Sequence, residues 1–348
     1  MKKGSLKTTL YIFLFVLGLP FTLRAVEFRE GRVKLVLHEN TGRFSLYYLT
    51  DIKKETYEAL FVDQDPRTSF LGILVDDKAY RMGESSAFRL RINTDSSAKP
   101  ALVFESAFLT VSEEFSFIRA GSGTLVDGVR IDIRVTNKGE RQIPVGIRFL
   151  LDTKLGEGGS TPFSTDKRTI ASETLVEPKN GDQWWFSKND SVGLMGTIQI
   201  PSVAPPESII FANWKRLNDA PWKSSVSPGR NFNYLPYSVG DSALCYYFDT
   251  KPLDRGAERV VSILLAAASD QGFSSFGLAP ENDVSRLLNE SSTTPSSTDL
   301  ALRTDLITIR DLLKRIDTLL APGATVSEDE LTAMETVIRK LKDRNGIR

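Results

Sequence analysis

The sequence holds a single cysteine and a single histidine among its 348 residues. A lone cysteine, Cys245, cannot close an intramolecular disulfide, so packing must hold the fold together. It also has no histidine near it in sequence to activate it as a nucleophile, because His38 lies at the far end of the chain; a small buried residue in a strand is the plainer reading. His38 itself closes a strand beside a turn and has no second histidine to work with as an acid–base pair. Neither sign of charge is in excess, with 44 basic and 44 acidic residues. That balance leaves no basic footprint of the kind that neutralises nucleic-acid phosphates. No Asp-x-Asp-x-Asp series is present to build a calcium loop, and no metal or cofactor is expected. Beyond the N-terminus no long apolar run occurs.

The N-terminal segment carries an export address. Lys2, Lys3 and Lys7 precede an apolar run from Leu10 to Leu19, which Pro20 ends. The run is shorter than the ~20 residues of a membrane span, so it reads as a signal peptide over residues 1–25 rather than an anchor. Cleavage is expected after Ala25, although Leu23 is large for the −3 position. No cysteine follows the run, so a lipoprotein is not expected. The mature chain is then periplasmic or secreted, and meets a membrane only through the signal segment before cleavage.

The body of the chain reads as β structure. Val129, Ile131, Ile133 and Val135 alternate with Arg130, Asp132, Arg134 and Thr136; after Asn137-Lys138-Gly139-Glu140, the residues Ile143, Val145, Ile147, Phe149 and Leu151 alternate again. Two period-two runs around a glycine-containing turn predict a β-hairpin with one buried face. Val33–His38 and Phe44–Leu49 give a second strand–turn–strand signal, and short apolar bursts continue from Leu60 to Ile118. Glu113 and Glu114 are adjacent, so a strand sends them to opposite faces. Ala243–Asp249 and Arg259–Ala268 are the last strong strands. Together these predict one large antiparallel β-sandwich over residues 26–280.

Composition then shifts. Residues 281–298 form a Ser/Thr-rich linker, and residues 299–348 carry two heptad stripes. Leu302, Leu306, Ile309, Leu313, Ile316 and Leu320 make the first; Leu331, Met334, Ile338 and Leu341 make the second, after the Ser327–Glu330 capping box. Joined by Ala321-Pro322-Gly323, they predict a helical hairpin whose apolar faces either dock on the sandwich or take an envelope protein partner or a second copy.

Two groups of residues are candidates for a site. Asp152 and Glu157 flank the Gly-rich loop after Leu151, with Asp166 and Glu173 nearby; they could line an oxygen-rich cavity or act as a carboxylate pair on a glycoside, or simply satisfy loop amides. Trp184, Trp185, Trp214 and Trp222 lie in a proline-punctuated stretch, and could stack on sugar rings or plug the sandwich ends.

VTNKGERQIPVGIRFLLDTKLGEGG and CYYFDTKPLDRGAERVVSILLAAA resemble segments of uncharacterised exported bacterial β-sandwich proteins of the spirochaete periplasmic type. Some of those have a galactose-mutarotase-like supersandwich, and the second segment is similar to their closing hairpin. The resemblance implies the sandwich fold from about Val129 to Ala268. It does not imply epimerase chemistry, because mutarotases use a histidine acid with a glutamate base, and here the sole histidine is in the first mature strand. The function expected is therefore a non-catalytic envelope protein that binds a protein partner, with a setting in envelope or periplasmic motility assemblies. Carbohydrate binding through the tryptophans, and a carbohydrate-active enzyme using Asp152 and Glu157, are the alternatives.

Overall fold

The computed structural model describes residues 25–273, apart from 95–98, 121–124, 202 and 270, together with eight helical positions between Leu313 and Lys342. The chain divides into two compact units, Met1–Leu278 and Ala279–Arg348. Most of the second unit, including the expected 281–298 linker, and the expected signal segment as far as residue 24 lie outside the described residues.

The first unit is built from strands. In chain order they are β1 (Ala25–Glu30), β2 (Val33–His38), β3 (Arg43–Asp51), β4 (Thr56–Ala59), β5 (Phe70–Val75) and β6 (Lys78–Arg81). Next come β7 (Arg89–Asn93), β8 (Ala101–Glu105), β9 (Leu109–Ile118), β10 (Gly128–Asn137) and β11 (Ile143–Asp152). The short strands β12 (Phe163–Thr165), β13 (Thr169–Ile170) and β14 (Thr174–Val176) precede β15 (Trp184–Lys188), β16 (Gly193–Thr197) and β17 (Ser208–Asn213). A single-turn-and-a-half helix α1 (Trp214–Asp219) leads toward β18 (Ser242–Leu253) and β19 (Glu258–Ala267).

These pair into a nine-stranded sheet, β13-β12-β15-β16-β19-β10-β9-β8-β7, a six-stranded sheet, β14-β17-β18-β11-β5-β6, and a four-stranded sheet, β1-β2-β3-β4. Alternation builds the core between them: Ile131, Ile133 and Val135 of the larger sheet and Val145, Ile147, Phe149 and Leu151 of the smaller one are buried in one cluster. Full burial of such a side chain contributes roughly 1.5–3 kcal/mol. The four-stranded sheet shares this core. Its Phe44 ring lies 5.0 Å from Phe115 and 6.1 Å from Phe149, touching both large sheets.

The predicted hairpin at Val129–Leu151 is not one. β10 pairs with β9 and β19 in the nine-stranded sheet, whereas β11 pairs with β5 and β18 in the six-stranded sheet. The turn at 138–142 carries the chain across the sandwich, so the two apolar faces meet through the core instead of lying side by side. Asn137 fixes this crossing: it is fully buried, its Nδ2 donates to the carbonyls of Arg141 and Leu253, and its Oδ1 accepts from Gly139 N at 2.9 Å. The closing segment does the same, because β18 and β19 also belong to different sheets. The two arches then pair with one another, β10 with β19 and β11 with β18. By contrast β2 and β3 form the expected antiparallel pair, with His38 opposite Arg43.

The outer face of the six-stranded sheet is also covered. Phe70, Leu150, Ile210, Ala212, Ala243, Cys245 and Tyr247 pack beneath Leu217 and Trp214 of α1 and Val226. β11 and β18 are thus buried on both faces, which is why their apolar runs read as nearly continuous.

Of the helical stripes, Leu313, Ile316 and Ile338 are helical, as are Thr332, Glu335, Thr336, Arg339 and Lys342. Leu302, Leu306, Ile309, Leu331, Met334 and Leu341 lie outside the described residues. Among the described residues no helix is long and apolar enough to cross a membrane.

Candidate functional site: three carboxylates at one end of the six-stranded sheet

β11 ends, β17 ends and β18 begins at the same end of the six-stranded sheet, since Asp152 lies opposite Ala243 and Asn213 opposite Ser242. Asp152 is the last residue of β11. Its backbone is fixed on both sides, with its N–H donating to Ser69 Oγ at 2.9 Å and its carbonyl accepting from Val62 N at 3.1 Å. The chain beyond it turns tightly, Glu157 N donating to Lys154 O and Gly159 N to Gly156 O. Gly156 is required here: a Cβ would stand 2.1 Å from the Pro162 carbonyl oxygen. This fold-back carries Glu157 to the start of β18, where its Oε1 accepts from Ser242 N at 3.2 Å.

The third carboxylate, Asp241, comes from the loop before β18. Gly240 enters it with φ +66°, a left-handed conformation that favours glycine, and its N–H donates to Asn233 Oδ1 at 2.7 Å. Asn213 anchors the loop. Its Nδ2 lies within 3.0 Å of three oxygens, those of Phe232 O, Ser238 Oγ and Asp241 O, while its Oδ1 caps α1 through Lys215 N.

The result is convergence. One oxygen each of Asp152, Glu157 and Asp241 lies within 4.8 Å of the others. Burial, with added repulsion from Asp241 and Glu157, pushes the Asp152 carboxyl up to about 7. Burial likewise raises Glu157 and Asp241. Lys154 is the nearest cation felt by Glu157, but its ammonium pairs with Asp63 at 2.8 Å. Among the described residues no lysine or arginine forms an ion pair with any of the three carboxylates. Asp152 Oδ1 is buried with no hydrogen-bond partner.

The same loop exposes an apolar tip. Leu235, Tyr237 and Val239 are 72%, 68% and 73% exposed. Tyr234 and Tyr237 stack with centroids 5.4 Å apart, and Arg230 and Lys215 lie over their respective rings. The loop that delivers Asp241 to the carboxylate group therefore also carries this tyrosine pair.

The sequence-based candidates divide accordingly. Asp152 and Glu157 meet; Asp166 and Glu173 do not join them, because Asp166 accepts from Gln183 N and Glu173 is buried against Arg216. The four tryptophans form no shared platform. Trp185 is completely buried with Nε1 donating to Tyr246 Oη, and it can offer no face to a ligand. Trp184, Trp214 and Trp222 are half-buried: Trp184 packs around Gly272, Trp214 Nε1 donates to Thr68 O, and Trp222 lies under the Arg148 guanidinium. Burial pushes the Cys245 thiol up to about 11, far from a nucleophile's range. His38 bonds Ser45 Oγ at 2.8 Å, burial lowers its pKa, and it is not part of the carboxylate group. Asp241 was not among the residues singled out from sequence. The signal it carried was a Gly-Asp-Ser step directly before a strong strand.

No protein-family profile and no curated protein sequence matches this chain. Among solved structures it resembles a galactose mutarotase related enzyme from Lactobacillus acidophilus, with TM-score 0.44 and 9% identity over 72% of this chain and 100% of that one. A galactose mutarotase-like protein from Lactobacillus casei gives TM-score 0.41 and 9% identity over 70% of this chain and 100% of the other. A TPR-domain containing protein from Parabacteroides distasonis gives 0.45 and 12% over 74% of this chain and 49% of that one.

Proposed function

We propose that this protein is an exported saccharide-binding β-sandwich protein whose ligand sits at the Asp152–Glu157–Asp241 end of the six-stranded sheet. The observation that carries the reading is the convergence of three carboxylates, one of them, Asp241, on the loop that also carries the stacked Tyr234 and exposed Tyr237. Carboxylates accept hydrogen bonds from sugar hydroxyls, and the exposed part of Tyr237, stacked on Tyr234 with Lys215 over its ring, offers apolar contact to a sugar. The stacking residues in this reading are Tyr234 and Tyr237 rather than the tryptophans. The lone histidine stands outside the group, so the reading does not include the histidine–glutamate chemistry of mutarotases. Export through residues 1–25 and a periplasmic setting belong to the same proposal and rest on the sequence.

A glycan array probed with the mature chain tests it. Binding that falls in Tyr237→Ala and Glu157→Gln supports the reading, and indifference to every glycan overturns it. Hydrolysis or epimerisation of a bound glycan would turn the binding reading into a catalytic one.

A second reading is capture of an envelope protein partner, or of a second copy, by the C-terminal stripes. It is supported by Leu313 and Ile338, both apolar, helical and exposed. Deleting residues 299–348 should then abolish partner capture while the sandwich stays folded.

A further inference from the structure

We propose that Asp152, Glu157 and Asp241 form a binding site for a hard divalent cation, calcium in preference to magnesium. Three features of the structure point to it. The first is spacing: one oxygen from each carboxylate lies within 4.8 Å of the others. Ca²⁺ bonds its oxygens at about 2.3–2.6 Å, so two ligands of one ion are at most about 5 Å apart. The three groups can close on a single ion with little movement.

The second feature is the missing counter-charge. Three other buried acids among the described residues have cation partners, Glu173 with Arg216, Asp182 with Arg168 and Asp132 with Arg130, whereas the buried Glu113 forms no ion pair. These three carboxylates have no ion pair, and the one lysine close to Glu157 is bonded to Asp63. Acidic groups clustered in this way, without a cation, repel one another.

The third feature is independent of the clustering. Asp152 is 3% exposed, and its Oδ1 has no hydrogen-bond partner. A buried carboxylate oxygen is normally satisfied. Its own N–H and C=O are held by Ser69 and Val62, and its carboxyl is hydrogen-bonded by the Thr68 side chain, so the strand end is fixed and Oδ1 is the atom left without a partner. A bound ion supplies what Oδ1 lacks.

The donor set chooses the metal. All the ligands are oxygens, with no imidazole or thiolate in the group, which suits a hard cation rather than zinc or copper. Two of the three come from loops, Glu157 from the turn beyond Gly156 and Asp241 from the segment after Gly240. Such a set accommodates the larger, more variable shell of Ca²⁺ better than the strict octahedron of Mg²⁺. The remaining positions of a shell of about six to eight oxygens are open to water, or to vicinal hydroxyls if a sugar binds. The cation site does not depend on the saccharide reading, although it would occupy the same place.

Calorimetric titration of the chelator-stripped, full-length protein with CaCl2 alone, and separately with MgCl2, tests the inference, with thermal melting in parallel. One Ca²⁺ per chain and a rise in Tm that follows Ca²⁺ concentration are expected. Asp152→Asn and Asp241→Asn should abolish the heat, and Glu157→Gln should weaken affinity about tenfold or more. In chelator, Asp152→Asn should melt no lower than the parent, since it removes an unpaired buried charge; if it fails to fold, the half-buried Asp241 and Glu157 variants decide the matter. A folded parent showing neither heat nor Tm shift at millimolar Ca²⁺ overturns the proposal, as does full Ca²⁺ affinity in the Asp241→Asn protein. Repeating the glycan array in chelator separates the two readings: Ca²⁺ binding without any glycan leaves the cation site standing, and glycan binding without Ca²⁺ heat does the reverse.

Discussion

Trp185 on β15 and Tyr246 on β18 join the two large sheets through the core, the indole Nε1 donating to the phenol oxygen at 2.5 Å. Tyr246 Oη then donates to Thr197 O at 2.9 Å, returning the bond to the nine-stranded sheet. Removing that one oxygen leaves the Trp185 N–H buried without a partner. Tyr246→Phe should therefore lower stability by about 1–3 kcal/mol, read as a shift in urea midpoint with unchanged slope. A change under about 0.5 kcal/mol would show that water or repacking replaces the bond.

Glu113 lies on the inward register of β9 with Leu109, Val111 and Phe115, and is buried. Burial raises its carboxyl to about 8, against the opposing pull of Arg43. The folded chain then keeps a proton that the unfolded chain has already lost between about pH 4.5 and 8. Stability contributed by this group must fall as pH rises across that window and level off above it. The loss amounts to a few kcal/mol, at about 1.4 kcal/mol for each pH unit of difference. Glu113→Gln should remove this fall and leave the variant more stable than the parent at pH 8. Parallel curves of stability against pH for the two proteins would contradict the assignment.

Glu173 holds down the cover of the six-stranded sheet. Its side chain is buried, pairs with Arg216 of α1, accepts from Ser227 N at 2.9 Å and lies 3.9 Å from Arg230. Glu173→Ala leaves Arg216 without its partner, and should cost about 3–5 kcal/mol. Hydrogen exchange should rise first at residues 221–230. Uniform exchange throughout the sandwich would instead make this cover part of the global unfolding unit.

Cys245 is enclosed in the layer beneath α1, and its thiol sits at about 11. A thiol reagent at pH 8 should leave it unmodified in the native protein and label it fully in denaturant. Rapid native labelling would return Cys245 to consideration as a nucleophile.

What the sequence made legible depended on how local the information was. The alternation in Val129–Val135 and Ile143–Leu151 gave strands and their buried faces, because period two is a property of each segment alone. It could not give the pairing. A hairpin and an arch bury the same residues through the same short turn, and what separates them is the partner strands, about 90 residues or more away in β18 and β19. Glu113 and Glu114 diverged as alternation requires, one to the core and one to Arg134. Asp152 and Glu157 were found because they share a loop. Asp241 was not, since it reaches them only through the β11–β18 pairing. Trp185 and an exposed platform tryptophan have the same sequence signature, and burial alone distinguishes them.

The central claim is that the Asp152–Glu157–Asp241 end of the sandwich is where this protein meets its ligand. The most direct measurement is a calorimetric titration of the strongest array saccharide into the parent and into Tyr237→Ala and Glu157→Gln. Neither Tyr237 nor Glu157 is buried, so both variants should fold. Saturable binding by the parent that drops about tenfold or more in each variant is the predicted result. Equal affinity in all three proteins, or no saccharide bound by the parent, would contradict the account.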